Sequence, residues 1–219
     1  MATVPTGAAP WKNGYPTSDG KPMAETDWHR DLMLDLIQEL KAYYAAKERV
    51  YVSGNLLLFY ERGNRRRHVS PDVFVVKGVA KYDRPNYLLW EEKNLDVVIE
   101  LTSSSTRRED MATKYRLYRD TLQVKEYFLF DPLGDYLDPP LQGHRLRGGE
   151  YHPVRAVAGR LPSRALGLHL ERNGRELRLY DPEAEGWLPT PLERAERAES
   201  EVERLRRELQ ALRRQPREP

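Results

Sequence analysis

Residues 96–102, DVVIELT, and residues 125–132, KEYFLFDP, decide the fold. Each is a short apolar run, and Asp131-Pro132 stops the second. Between them Thr106 and Glu109 have the T-x-x-E spacing of a capping box, which predicts a helix running to about Thr121 with Met111, Tyr115 and Tyr118 along it. The order strand, helix, strand then predicts that 96–102 and 126–130 are parallel neighbours joined by a right-handed crossover.

Upstream, β-type runs at 49–53, 56–60 and 69–76 are separated by the turn formers Gly54-Asn55, Gly63-Asn64 and Pro85-Asn86, so antiparallel hairpins are expected there. Before them Leu32, Met33, Leu36, Ile37, Leu40 and Tyr44 recur at helical spacing, marking an amphipathic helix capped by Thr26 or Asp27. Downstream, 133–190 reads as a β-meander. Its strands are 145–147, 151–157, 166–171 and 176–180, with turns at Gly148-Gly149 and Asn173-Gly174. The class is α/β, a mixed sheet flanked by helices.

Three segments are expected: an aperiodic, loosely ordered arm over 1–25, a single domain over 26–190, and a C-terminal helix over 191–219. In that helix Ala195, Ala198, Val202, Leu205, Leu209 and Leu212 are spaced 3, 4, 3, 4, 3, the seam of a coiled coil. With Ala195, Val202 and Leu209 at a, the g residues Arg194, Glu201 and Glu208 face the e residues Glu199, Arg206 and Arg213 of a parallel second copy. A homodimer is therefore expected.

Composition narrows the chemistry. There is no cysteine, no HExxH and no cluster among the five His, so any metal sits on oxygen ligands. A net charge of +2 is neutral about a nucleic-acid partner. With no apolar run long enough to span a bilayer and no secretory signal pattern, a cytoplasmic protein is expected.

Phosphodiester hydrolysis needs a divalent ion held by a few carboxylates with positions open for water and substrate. The informative acids are those where a strand would otherwise carry an apolar residue, because a buried acid is costly without a partner. Asp72, in SPDVFVV (70–76), and Glu100, in VVIELTS (97–103), meet that test. Strand alternation puts Glu100 on one face with Val98 and Thr102, opposite Val97, Ile99 and Leu101.

The segments SPDVFVV, VVIELTSSSTRREDMATKYRLYRD and KEYFLFDP resemble the Uma-two family of restriction-endonuclease-like proteins, a branch of the PD-(D/E)xK nuclease superfamily. The later hairpin segments RLRGGEYHPV and LGLHLERNGRELRLYDP are similar to longer members. The resemblance implies a restriction-endonuclease-like core in which Asp72 and Glu100 bind Mg²⁺ (or Mn²⁺). The superfamily lysine two residues after the Glu is replaced here by Thr102, and the resemblance suggests that Lys114, on the next helix, takes its place. The path allows it. About 17–20 Å of strand and loop separate Glu100 from the helix start, and a helix folding back regains about 12 Å by Lys114.

His29 falls on the apolar side of the first helix, either packed in the core or near the metal, with core packing favoured. Tyr118 stands one turn beyond Lys114 and is a second auxiliary candidate. Arg65, Arg66, Arg67, Arg107 and Arg108 flank the motif strands as candidate phosphate contacts, or as ordinary solvated loops. The expected activity is a Mg²⁺-dependent endonuclease acting on DNA. The alternative is a DNA-binding or assembly protein that keeps the nuclease fold with weak or no catalysis. A hydrolase of small phosphoesters ranks last, since the chain has no Gly-rich phosphate loop.

Overall fold

The computed structural model describes residues 14–18, 26–103 and 109–214. Helix α1 (Asp27–Tyr43) precedes β1 (Val50–Ser53), β2 (Leu58–Phe59), β3 (His68–Val69), β4 (Val73–Lys77), β5 (Tyr87–Leu88) and β6 (Val97–Leu101). Next come two π-wound segments, Glu109–Lys114 and Leu117–Thr121. They are followed by β7 (Glu126–Phe130), β8 (Leu141–Arg147), β9 (Glu150–Pro153), β10 (Leu161–Ser163), β11 (Leu168–Asn173), β12 (Glu176–Asp181), β13 (Gly186–Trp187) and α2 (Pro191–Arg214).

The central sheet has six strands in the order β1-β4-β6-β7-β8-β9. Within it β6 and β7 are parallel, from Val97↔Glu126 to Leu101↔Phe130, as the strand-helix-strand order predicts; the other pairings are antiparallel. Every residue of β6 and of β7 is buried, which explains their unbroken apolar character.

The two faces of this sheet carry separate cores. Val73, Val75, Val97, Ile99, Leu101, Phe128 and Phe130 pack with Met33, Leu36, Ile37 and Leu40 of α1 and with Leu168, Leu170, Leu177 and Leu179 of a second, four-stranded sheet, β10-β11-β12-β13. Phe74, Val76, Val98, Tyr127 and Leu129 pack on the other side against Tyr118 and Leu122, and against Leu58, Val69 and Tyr87 of a small sheet ordered β3-β2-β5. Glu126 joins the first two layers. Its buried carboxylate accepts Arg145 Nε at 2.6 Å, Ser163 Oγ at 2.5 Å and the backbone N–H groups of Arg164 and Ala165.

Several expectations need correction. The 133–190 region is not one meander: β8 and β9 extend the central sheet from β7, while β10 to β13 form their own sheet across the α1 core. The run 56–60 contributes two paired residues, Leu58 and Phe59, and lies outside the central sheet, pairing with β3 antiparallel and with β5 parallel. The run 69–76 is broken at Ser70–Asp72, because Pro71 has no N–H to give and the N–H of Asp72 is turned to a side chain. Thr26 caps α1 without its hydroxyl; its carbonyl accepts the N–H groups of His29 and Arg30, both at 3.1 Å.

The capping box at Thr106 and the arginines Arg107 and Arg108 lie outside the described residues. In the N-terminal stretch, Tyr15 packs on Phe59 and Trp90, and its hydroxyl accepts the Gly63 N–H at 2.7 Å. Among the described residues no helix is long and apolar enough to cross a membrane.

Candidate active site

Antiparallel pairing of Val73 with Ile99 carries the chain on so that Asp72, one residue before β4, lies across from Glu100. The two residues interlock. Asp72 N–H donates to Glu100 Oε2 at 3.3 Å, and the N–H of Leu101 donates to Asp72 Oδ2 at 2.7 Å. Backbone donors on adjacent strands thus hold two carboxylates together that would otherwise repel.

The turn between β1 and β2 makes this arrangement possible. Asn55 N–H donates to the Pro71 carbonyl at 2.8 Å, bringing Gly54 against the Asp72 backbone. A Cβ on Gly54 would stand 1.9 Å from the Asp72 carbonyl oxygen and 2.7 Å from Ile37 Cδ1. Only glycine lets the turn close at this point.

The helix after β6 reaches back over Glu100. Lys114 Nζ lies 3.0 Å from Glu100 Oε2. Tyr118, one turn further, donates its hydroxyl to Glu100 Oε1 at 2.5 Å. Lys114 and Tyr118 come from separate π-wound segments joined through α-helical Tyr115 and Arg116, a winding that is rare and concentrates at functional sites. Burial and the Glu100 charge push the Tyr118 hydroxyl well above its ordinary pKa, so it stays a proton donor.

From α1, His29 brings Nε2 to 3.7 Å from Asp72 Oδ2 while being buried itself. It is therefore both a core residue and a neighbour of the site. Burial works to raise the Asp72 carboxyl. The adjacent His29 ring, the charges of Lys114 and His29, and the Leu101 N–H outweigh it and hold Asp72 below the usual carboxylate value.

Residues 72, 100, 114, 118 and 29, taken from three separate sequence regions, are brought together, whereas Arg65, Arg66 and Arg67 stay in the exposed turn between β2 and β3. Arg67 there pairs with Glu61 at 3.2 Å and lies over the Tyr60 ring. Gly54 enters the site through backbone contact, which no residue-type pattern reveals.

The donor set suits a hard cation. Among the described residues no group of three or more His, Cys, Asp and Glu comes together to hold a metal. Mg²⁺, however, takes one or two carboxylates and fills its octahedron with waters and substrate oxygens. Asp72 and Glu100 are the two carboxylates here that such an ion would use. Thr102 lies on the Glu100 face by strand alternation, fully buried, and among the described residues its Oγ1 has no hydrogen-bond partner, so a polar group is left for a water to satisfy. The residues present fit a water-rich Mg²⁺ or Mn²⁺ site.

Residues 15–211 match the model of the Uma2 family, described as "Putative restriction endonuclease". A search of curated proteins returns no match. Among solved structures the chain is similar to "a putative nuclease belonging to DUF820 from Anabaena variabilis ATCC 29413", at 15% identity and a TM-score of 0.48, over 69% of this chain and 80% of that one. The match from residue 15 to residue 211 spans most of the sequence, and the chain belongs to the Uma2 family, within the restriction-endonuclease-like PD-(D/E)xK clan.

Proposed function

We propose that this chain is a Mg²⁺-dependent endonuclease that hydrolyses DNA phosphodiester bonds, with Asp72 and Glu100 as metal ligands and Lys114 as the fixed cation of the site. The observation that carries the reading is the meeting of Lys114 with Glu100 beside Asp72. A lysine twelve positions on from Thr102 still reaches the Glu100 carboxylate.

A bound Mg²⁺ would supply charge neutralisation at the scissile phosphate and lower the pKa of a water. The chain's own groups do the rest. The backbone N–H groups of Asp72 and Leu101 tie the two carboxylates to each other's strands. Tyr118 holds one oxygen of Glu100 and leaves the other to Lys114. The Lys114 ammonium orients the attacking water and offsets negative charge as it develops on phosphate, an effect aimed at the transition state. His29 steadies Asp72 from the α1 side as a positioning residue. Arg65, Arg66 and Arg67 are proposed as phosphate contacts that fix the duplex without reading its sequence. The body over 26–190 carries the site, and a homodimer suits such an enzyme, because two sites on one particle can cut both strands of a duplex.

Titrating Mg²⁺ into the protein with supercoiled plasmid tests this directly. Nicking or linearisation that needs Mg²⁺, stops with EDTA and is lost in Asp72→Ala and Glu100→Ala is the expected result. Activity that survives in both variants overturns it. A second reading, a DNA-binding or assembly protein on the nuclease fold, is favoured by one observation: Glu100 already has Lys114, Tyr118 and the Asp72 N–H as partners, as a purely structural acid would. DNA binding in EDTA with no cleavage at any Mg²⁺ concentration is the outcome that selects it.

A further inference from the structure

Helix α2 is tied to the body over its first turn. Thr190 and Glu193 form a reciprocal cap, with Thr190 N–H to Glu193 Oε2 at 2.8 Å and Glu193 N–H to Thr190 Oγ1 at 3.2 Å. Arg178 of β12 clamps Glu193 at 3.1 Å and also donates to the Leu188 carbonyl. Beyond Arg194 the anchoring stops, and residues 195–213 are all exposed. Val202 is 46% exposed, Leu205 and Leu209 50% and Leu212 64%, so the seam does not pack on its own domain. A helix of this length, held at one end with an aliphatic stripe in water, lacks the tertiary packing that stabilises most protein helices.

We propose that this stripe is half of a parallel, two-stranded coiled coil with a second copy of the same chain. Charge complementarity identifies the partner. In parallel register Glu201 meets Arg206 of the second copy and Glu208 meets Arg213, each twice by symmetry, whereas an antiparallel pairing sets Glu201 against Glu201 and Arg206 against Arg206. Arg206 and Arg213 are exposed and flank the seam, in position for those pairs.

The structure also shortens the expected seam. The Nε of Arg194 is buried at the junction with the body, so the pair between Arg194 and Glu199 is withdrawn from the coil. The contact then begins near Ala198 and runs to Leu212, little more than two heptads, which makes the association weak and concentration-dependent. Parallel pairing, with both helices anchored at their N-terminal turns, puts the two bodies at the same end of the coil. If the nuclease reading holds, one particle then carries two sites. The pairing itself rests on α2 alone and is tested without any activity measurement.

Sedimentation of the full chain across the micromolar range is the first arm. Twice the monomer mass at the upper end is expected, and the double variant R206E/R213E, which sets Glu against Glu at both pairs, is expected to return it to monomer. Orientation is the second arm. The chain contains no cysteine, so Val202→Cys and Leu209→Cys, made singly, report cleanly: two thiols close to one disulfide while an added oxidant takes the electrons and protons. In parallel register each variant cross-links to itself. A full chain that stays monomeric throughout, a dimer indifferent to R206E/R213E, or cross-links that form only between Val202→Cys and Leu205→Cys in a mixture, the a-to-d layer of an antiparallel pair, overturns the proposal.

Discussion

Lys114 stands 3.0 Å from Glu100 Oε2 although fourteen positions of chain separate them, because the helix after β6 folds back over the strand it left. The ion pair is desolvated, with the Lys114 side chain 12% and the Glu100 side chain 0% exposed. Breaking one side of such a pair leaves a buried charge, which costs about 3–5 kcal/mol. Lys114→Ala is therefore expected to lower the melting temperature in EDTA and to regain much of it when Mg²⁺ replaces the lost cation. Its kcat is expected to fall about 100-fold or more, with KM little changed. A variant that loses stability and is not rescued by Mg²⁺ makes the lysine purely structural.

Asp72 predicts an acid limb. Its folded pKa lies below the ordinary carboxylate value, so the stability it contributes is present above pH 3.8 and is lost as pH falls through the lower, folded value. The gap in urea midpoint between wild type and Asp72→Asn should be wide at pH 6 and narrow at pH 3. Equal gaps at both would remove the ionised Asp72 from the account.

Gly54→Ala tests the backbone approach that seats Asp72. The added methyl meets the Asp72 carbonyl at 1.9 Å, and backbone cannot yield as the tip of a side chain does. A loss of at least about 1–3 kcal/mol from overpacking is expected. Mg²⁺ affinity should drop as well, even though residue 54 carries no ligand. Crystals of a variant with unchanged geometry at Asp72 would contradict this.

Glu39 predicts the opposite pH dependence. This acid of α1 is buried, and burial pushes its pKa up to about 7 despite the opposing charge of Arg178; Asp35 and Glu193 raise it further, and Arg194 lowers it. A raised folded pKa means the proton is held more tightly in the folded state. Stability is then full below about pH 4.5, the unfolded value, and declines as pH rises through about 7. Glu39→Gln should flatten that decline and exceed wild type at pH 8, by on the order of 3 kcal/mol at most. A variant as pH-sensitive as wild type would refute the assignment to Glu39.

Local pattern determined a good deal. Apolar runs and their punctuation placed α1, β6, β7 and α2, because one-dimensional periodicity follows directly from which face is buried. The parallel pairing of β6 with β7 followed from chain order alone. Asp72 and Glu100 stood out because an acid inside an apolar strand is expensive, and that cost is visible without coordinates. Lys114 rested on the resemblance and a length argument, and the structure seats its ammonium on Glu100.

Tertiary structure decided the rest. Whether β8 and β9 join the central sheet or the one beyond it is a choice between edges that every strand sequence tolerates. The role of Gly54 is a distance to a carbonyl 18 residues on, and nothing in a turn-forming Gly-Asn predicts it. The sequence leaves His29 between core packing and the site, with packing favoured, and the register of α1 against β4 sets it beside Asp72. The burial of Glu39 came from the four-stranded sheet and α2 closing over α1, a packing that helical periodicity does not encode. In each case the deciding quantity is a contact between segments distant in sequence, and such contacts exist only once the chain has folded.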